Sequence, residues 1–247
     1  MLISLLTPTR ERVDKCCRYL QSVVETSFNP EQIEALFYVD DDDPQVEEYQ
    51  DRLPKLGGRL AKVEVVVGPY ITVSKSWNEL ASRADGDVLC MGNDDLIYLK
   101  PRGILKGTFW DAHLLNEMTV WEQRHGHAIW CMWFDDGMEN CKKWPIFPMI
   151  SRDYYESLGY FVPNVGFKFF CNDSWVGEVS KLAECQHFIA EPQFLLHYHW
   201  SKYPNEKDAT TARARVNNTG GQVDINLLGK TLHIRQAHAA KLRQAMI

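Results

Sequence analysis

Residues 84–95 read Ala-Asp-Gly-Asp-Val-Leu-Cys-Met-Gly-Asn-Asp-Asp. Asp85-Gly86 is a turn signal, Val88–Gly92 a short apolar run, and Asn93-Asp94-Asp95 an acidic stop. A run with no polar face belongs to a strand covered on both sides. The same grammar recurs upstream. Leu2–Leu6 is apolar and stops in Thr7-Pro8-Thr9-Arg10, while Ile33–Val39 is apolar and stops in Asp40–Asp43 and Pro44. Val63–Val67 is a β-branched strand that follows the Gly57-Gly58 break. Helical patterns separate these runs: Asp14–Thr26, with Cys16, Cys17, Leu20, Val23 and Val24 on one side; the weaker Gln45–Leu56; and Ser74–Ala84. The order β-α-β-α-β-α-β predicts an α/β fold, with a mostly parallel central sheet and helices on both faces.

The second half is more mixed. Trp110–His125 is predicted helical, and Ala128–Phe134 a strand ending at the turn Asp135-Asp136-Gly137. Ile146–Ile150 is a strand, Arg152–Leu158 a short helix closed by Gly159, Asp173–Leu182 a helix and Phe194–His199 a strand. Ser201–Gly221 is polar without clear period and is expected to be a mobile loop, and Thr231–Met246 a terminal helix. No repeat or linker divides the chain, so residues 1–247 are expected to form one domain, in two halves at 1–99 and 100–199 with a basic loop and helix at 200–247.

Composition narrows the class. The chain has 247 residues, 45% hydrophobic and 24% charged, which excludes disordered and collagen-like sequences. Its seven cysteines form no CxxC pair, as expected of a reduced, cytoplasmic protein. The opening apolar run is too short for a signal peptide, and no run of ~20 apolar residues exists to span a membrane. The net charge of −6 is unevenly spread. From Trp200 onward eight Lys and Arg face three acids, so the tail carries +5 and the body −11. A basic end on an acidic body points to a local contact with a polyanion. Most of Trp110, Trp121, Trp130, Trp133, Trp144 and Trp175 are assigned to the core.

Ligands of open α/β sheets bind beyond the carboxyl ends of the strands. Thr7–Arg10, Asp40–Asp43 and Asn93–Asp95 all fall there. Crowding that many carboxylates on one rim calls for a cation, and a divalent metal with oxygen ligands is the simplest. His197 and His199 lie two apart on a strand, which puts both rings on one side.

In these residues the sequence resembles the nucleotide-sugar glycosyltransferases of the GT-A fold, a Rossmann-like architecture. The resemblance runs over about residues 2–99. It comprises the strand ending in Thr7-Pro8-Thr9-Arg10, the strand closing on Asp40-Asp41, the helix Lys75-Ser76-Trp77-Asn78-Glu79-Leu80-Ala81, the turn Ala84-Asp85-Gly86-Asp87 and the triplet Asn93-Asp94-Asp95. It implies that Thr7, Pro8, Thr9, Arg10, Asp40, Lys75, Asn78 and Asp94 bind a nucleotide-sugar donor, in the first instance a UDP-sugar. Asn93-Asp94-Asp95 would stand for the family's DxD motif, with Asn93 in place of its first Asp. Asp95 would then be the surer ligand to Mn²⁺ or Mg²⁺, and His199, favoured over His197, a further one. The metal would stabilise the diphosphate as it leaves, aided by Lys75 or Arg10. Asp173, at the start of a late helix and flanked by Phe169, Phe170 and Trp175, matches the general base of an inverting transfer; the same position also suits a helix-capping acid.

The stretches Trp144-Pro145-Ile146-Phe147-Pro148 and Tyr155-Glu156-Ser157-Leu158-Gly159-Tyr160 are similar to small bacteriophage-encoded glycosyltransferases, some of which modify hydroxylated bases in DNA. A DNA acceptor would use the +5 tail, Arg213 and Arg215 first, to contact phosphates. Two other readings stand beside this one. The chain could be a nucleotide-sugar-binding protein without activity, or a metal hydrolase or oxygenase built on His197, His199 and a carboxylate.

Overall fold

The computed structural model describes residues 1–101, 107–139, 141–217 and 221–247. Seven strands form one sheet, in the order β3-β2-β1-β4-β7-β6-β8. β1 (Ile3–Thr9), β2 (Ile33–Asp40), β3 (Lys62–Gly68) and β4 (Val88–Met91) are parallel neighbours. All eight residues of β2 are buried, which is why its sequence is apolar apart from Glu34 and the terminal Asp40. The register pairs Thr9 with Val39, Asp40 with Gly68 and Leu6 with Met91, so the carboxyl ends of these strands meet along one rim.

The three connecting helices, α1 (Val13–Thr26), α2 (Val46–Leu56) and α3 (Val73–Arg83), each bury one stripe. For α1 that stripe is Val13, Cys16, Cys17, Tyr19, Leu20 and Val23. Glu34, a buried acid inside β2, is satisfied by Ser4 Oγ at 2.6 Å and by the amides of Asp85 at 2.7 Å and Gly86 at 3.2 Å. The sheet is thus tied to the turn that introduces β4. Gly92, just past β4, sits where a Cβ would lie 2.3 Å from Thr7 Oγ1 and 2.9 Å from Leu6 O. Only glycine permits that approach of strand end to strand end.

The mixed half follows from β7 (Met149–Ser151), which runs antiparallel to both β4 and β6 (Cys131–Phe134). β8 (Gln186–Ile189) then lies parallel to β6 at the sheet edge. β5 (Leu96–Tyr98) and β9 (Leu195–His197) form a separate antiparallel ribbon, with Leu96 opposite His197. α4 (Trp110–His125), α5 (Arg152–Leu158) and α6 (Asn172–Ala183) cover this half. Ser151 caps α5 by accepting the Tyr154 amide at 3.2 Å. Trp110, Trp130 and Trp175 are fully enclosed, Trp121 and Trp133 nearly so, and Trp144 is 41% exposed. Each enclosed indole removes roughly 200 Å² from water, on the order of 5 kcal/mol of gross burial.

Several expectations change. The strand expected at Ala128–Phe134 begins at Cys131, and that at Phe194–His199 is confined to Leu195–His197. Within Ser201–Gly221, read as a loop, the chain forms α7 (Ala209–Asn217), and α8 (Gln222–Lys230) leads into α9 (Leu232–Ala245). The segment is ordered by charge rather than by an apolar stripe, which is why periodicity failed to find it. Glu206 pairs with Lys15 at 3.3 Å and Arg18 at 3.1 Å, and Asp208 with Arg12 at 2.7 Å and Lys15 at 2.9 Å. Among the described residues no helix is long and apolar enough to cross a membrane.

Candidate active site

A cavity of about 510 Å³ opens at the carboxyl rim. Pro8, Thr9, Arg10, Asp40, Asp94, Asp95, Asp173 and His199, separated by up to 191 residues in the chain, all line it.

Arg10 is held over the end of β2. Its Nη1 donates to Asp40 Oδ2 at 2.8 Å, and it also pairs with Asp42. Asp43 faces elsewhere, accepting the amides of Glu11 at 2.7 Å and Gln45 at 2.8 Å. It thereby fixes Glu11 at φ 55, a left-handed conformation costly for a residue with a side chain.

Asp94 is fully engaged inside the protein. Thr9 Oγ1 donates to it at 2.7 Å and Arg12 Nη1 at 2.9 Å, and burial raises its carboxyl above the usual range against the pull of Arg12. It positions the loop rather than pointing a spare oxygen outward. Asp95 differs. Burial would raise it, but His197, Arg12 and His199 together bring it below the usual range. Its Oδ1 is buried without a hydrogen-bond partner. His197 sits 3.4 Å from Asp95 and 3.4 Å from Asp136; burial opposes its charge, yet the two carboxylates push its pKa up to about 9. The His197 and His199 rings lie 5.0 Å apart, although β9 ends at His197 and His199 lies just past it, and His199 Nδ1 is 2.6 Å from Ser201 Oγ. An unpaired buried Asp95 oxygen together with the His199 imidazole is a donor pair that fits a divalent cation, while both His197 nitrogens face carboxylates.

Asp173 stands in the first turn of α6, two residues after the N-cap Cys171, and so is not the cap itself. It is half-buried in the cavity wall, and desolvation raises its carboxyl above the usual range. The loop before it is held from the far end of the chain. The buried carboxylate of Asp224, on α8, accepts the amides of Lys168 at 2.8 Å, Phe169 at 2.9 Å and Phe170 at 2.7 Å.

Three expected donor contacts fall outside the cavity. Thr7 is buried lower on β1, under Gly92 and Tyr19. The face of α3 turned to the cavity carries Val73, Ser76 and Trp77, which leaves Lys75 exposed on another side. Asn78 is a brace: its Oδ1 accepts the amides of Phe161 at 2.9 Å and Val162 at 3.1 Å, and its Nδ2 donates to Val162 O at 2.7 Å.

The residues not foreseen are Arg12, Asp136, Asp208 and Asp224. Their partners lie 54 to 196 residues away in sequence, and no local spacing marks them. Asp135, Asp136 and Cys141 are, among the described residues, a group whose potential ligand atoms lie within 4.8 Å of one another. Its contacts belong to the turn: Asp135 accepts the Gly137 amide at 2.8 Å and Cys141 Sγ at 3.2 Å, and Asp136 Oδ1 accepts the Met138 amide at 3.0 Å.

The basic tail largely folds back on the body. Lys202 donates to Gly137 O at 3.0 Å, Arg235 pairs with Glu178 at 2.6 Å, and Arg243 donates to Leu182 O. Arg213 lines the cavity and pairs with Glu11 at 3.1 Å; the Arg215 side chain lies outside the described residues.

No protein-family model matches the sequence, and no curated protein does. Solved structures match in fold. The mannosyltransferase PcManGT from Pyrobaculum calidifontis, in complex with GDP-Man and Mn²⁺, aligns over 98% of this chain and 85% of its own, at 12% identity and a TM-score of 0.57. Glucosyl-3-phosphoglycerate synthase from Mycobacterium tuberculosis aligns over 92% and 79%, at 12% identity and a TM-score of 0.53. S. aureus TarS 1–349 in complex with UDP-GlcNAc aligns over 79% of this chain, at 13% identity and a TM-score of 0.53, and the alignment spans 58% of that TarS chain. At such identities the likeness is one of architecture, and the chain has the α/β fold of these GT-A glycosyltransferases.

Proposed function

We propose that this chain is a glycosyltransferase that moves a sugar from a nucleoside-diphosphate sugar to an acceptor hydroxyl, with inversion. The observation that carries the reading is the cavity itself: Arg10–Asp40, Asp95 with His199, and Asp173 all border one space at the strand ends. The complexes of fold neighbours with UDP-GlcNAc and with GDP-Man and Mn²⁺ support it.

Each residue has a defined task. Pro8, Thr9, Arg10 and Asp40 form the wall for the nucleoside end of the donor. Asp95 and His199 would hold Mn²⁺ or Mg²⁺, which when bound offsets the negative charge that develops on the departing diphosphate. Arg213, in the cavity wall and paired with Glu11, adds a positive charge to the cavity. Asp173 takes the acceptor proton. Its burial raises its basicity, so it abstracts that proton more readily than an exposed aspartate would.

The acceptor is the open part of this reading. The +5 tail supports a hydroxylated base in DNA, whereas the tail cations paired within the chain support a smaller hydroxyl compound. Binding to duplex DNA measured across salt concentrations separates them, because Z phosphate contacts give a slope of about −0.9Z. The decisive experiment on the donor side is Asp95→Ala, assayed with UDP-glucose, UDP-GlcNAc and GDP-mannose by nucleoside diphosphate release in Mn²⁺. The parent protein is expected to turn over one of these donors and the variant none. Equal turnover by the variant removes Asp95 from the site, and donor binding without turnover by the parent makes the chain a binding protein.

A further inference from the structure

Asp136 has no task in this scheme, yet it is among the most deeply buried acids in the chain, at 1% exposure. The turn it belongs to needs only its Oδ1, which accepts the Met138 amide. Its Oδ2 is buried 3.4 Å from His197 Nδ1, while His197 Nε2 lies 3.4 Å from Asp95 Oδ2. Three segments distant in sequence therefore meet in a row: the turn after β6, the end of β9 and the loop after β4. Backbone bonds lock the row. The His197 amide donates to Asp136 O at 3.0 Å and the Tyr198 amide to Asp95 O at 2.9 Å. Phe147 closes edge-on against the His197 ring, with centroids 4.8 Å apart.

Burying two carboxylates and an imidazole is costly unless each has a partner. Four atoms of the row have no aligned hydrogen bond: Asp136 Oδ2, both ring nitrogens of His197, and Asp95 Oδ1. Asp136 Oδ2 faces His197 Nδ1, and the third, His197 Nε2, faces Asp95 Oδ2. The fourth, Asp95 Oδ1, lies on the side chain that lines the cavity.

We propose that Asp136 and His197 are positioning residues, Asp136 orienting the His197 ring and His197 holding Asp95 Oδ2, so that Asp95 Oδ1 and His199 are presented to a divalent cation. The proposal rests on the reading of Asp95 as a metal ligand. An aspartate on a strand-end loop would otherwise rotate freely about two torsions; gripping one oxygen aims the other. Both His197 nitrogens face carboxylates, whereas His199 is oriented separately by Ser201. Outer partners of this kind typically change metal affinity 10–100-fold.

The test is Mn²⁺ binding to the full chain, followed by electron paramagnetic resonance of the free ion, with ¹⁴N modulation of the bound-ion echo reporting a ligated imidazole. Asp136→Asn keeps an oxygen for the Met138 amide and removes the acceptor facing His197. It is expected to raise the Mn²⁺ dissociation constant about 10–100-fold while retaining the ¹⁴N modulation. His197→Gln gives the same pattern independently, should the first variant not fold, and His199→Gln loses the modulation. Parent-like affinity in a folded Asp136→Asn or His197→Gln, or loss of the modulation in His197→Gln, overturns the proposal. Asp95→Ala keeps the two ideas apart. If it binds Mn²⁺ like the parent, the metal reading fails; if it does not while Asp136→Asn does, only the positioning role fails.

Discussion

Replacing Asp224 by asparagine tests how firmly the C-terminal helices hold the wall of the cavity. Asp224 Oδ2 accepts two amides, from Phe169 and Phe170, and Oδ1 accepts a third, from Lys168. Asparagine can place its single oxygen on the pair, but its amide group must then face the Lys168 N–H, donor against donor. One hydrogen bond to a charged group contributes about 1.5–3 kcal/mol, so the variant loses about 2–3 kcal/mol at this loop. Gly221, beside Asp224 in the chain, adds a steric lock. It has φ 95, and a Cβ there would lie 3.1 Å from the Phe170 ring. Hydrogen exchange measured by mass spectrometry over residues 167–171 reads the loss directly. With 1.4 kcal/mol per factor of ten, the amides of 168–170 should exchange roughly 30–140-fold faster, while β1 and β2 keep their protection. If those amides exchange within about threefold of the parent and the melting temperature is unchanged, the carboxylate does not hold the loop.

Asp173→Asn should keep donor affinity and lower turnover by about 10²–10⁴, read by nucleoside diphosphate release. Because burial raises its carboxyl and the base works ionised, kcat/KM should fall on the acid side at a pH above the ~3.9 of an exposed aspartate, a limb the asparagine variant lacks. Asp208→Asn retains the cap on the Thr211 amide but breaks the pairs with Arg12 and Lys15, so exchange over residues 209–213 should quicken and become less sensitive to salt. The native Asp208 pKa is depressed, so its stabilisation is whole above the ordinary value and lost only as pH falls through the lowered one. Asn78→Ala removes three hydrogen bonds and should cost about 2–4 kcal/mol in denaturant unfolding with donor affinity unchanged; a selective loss of donor affinity would return Asn78 to the donor site.

The sheet of β1 to β4 was legible because β1, β2 and β4 are covered on both faces and read as largely apolar runs, Ser4 and Glu34 excepted. β5 and β9, with three residues each, are too short to show a period, and they pair across about a hundred residues. β8 carries Gln186 and His187 at a sheet edge, where little burial is demanded of them. In the site, the strand-end rule brought Thr9, Arg10, Asp40, Asp95 and, through the resemblance, Asp173 to residues that line one cavity. Lys75 and Asn78, which came through the resemblance, do not line it, since the rotation of a helix about its axis decides which side faces the cavity, and Thr7 lies too low on its strand. Arg12, Asp136 and Asp224 were invisible because their meaning lies entirely in distant partners.

The β5–β9 ribbon also sets a timetable. Asp95 emerges from a ribosome about a hundred residues before His197, an interval of roughly 5–20 s at ordinary rates of synthesis. β1, β2, β3 and β4 all lie within the first 91 residues and can pair in that time, with Arg12 already present to neutralise Asp94. Asp95 has to wait for its imidazole. A nascent chain therefore carries the sheet of β1 to β4 well before it can complete the acidic rim, and the rim gains His197 only when the second half of the protein folds back onto the first.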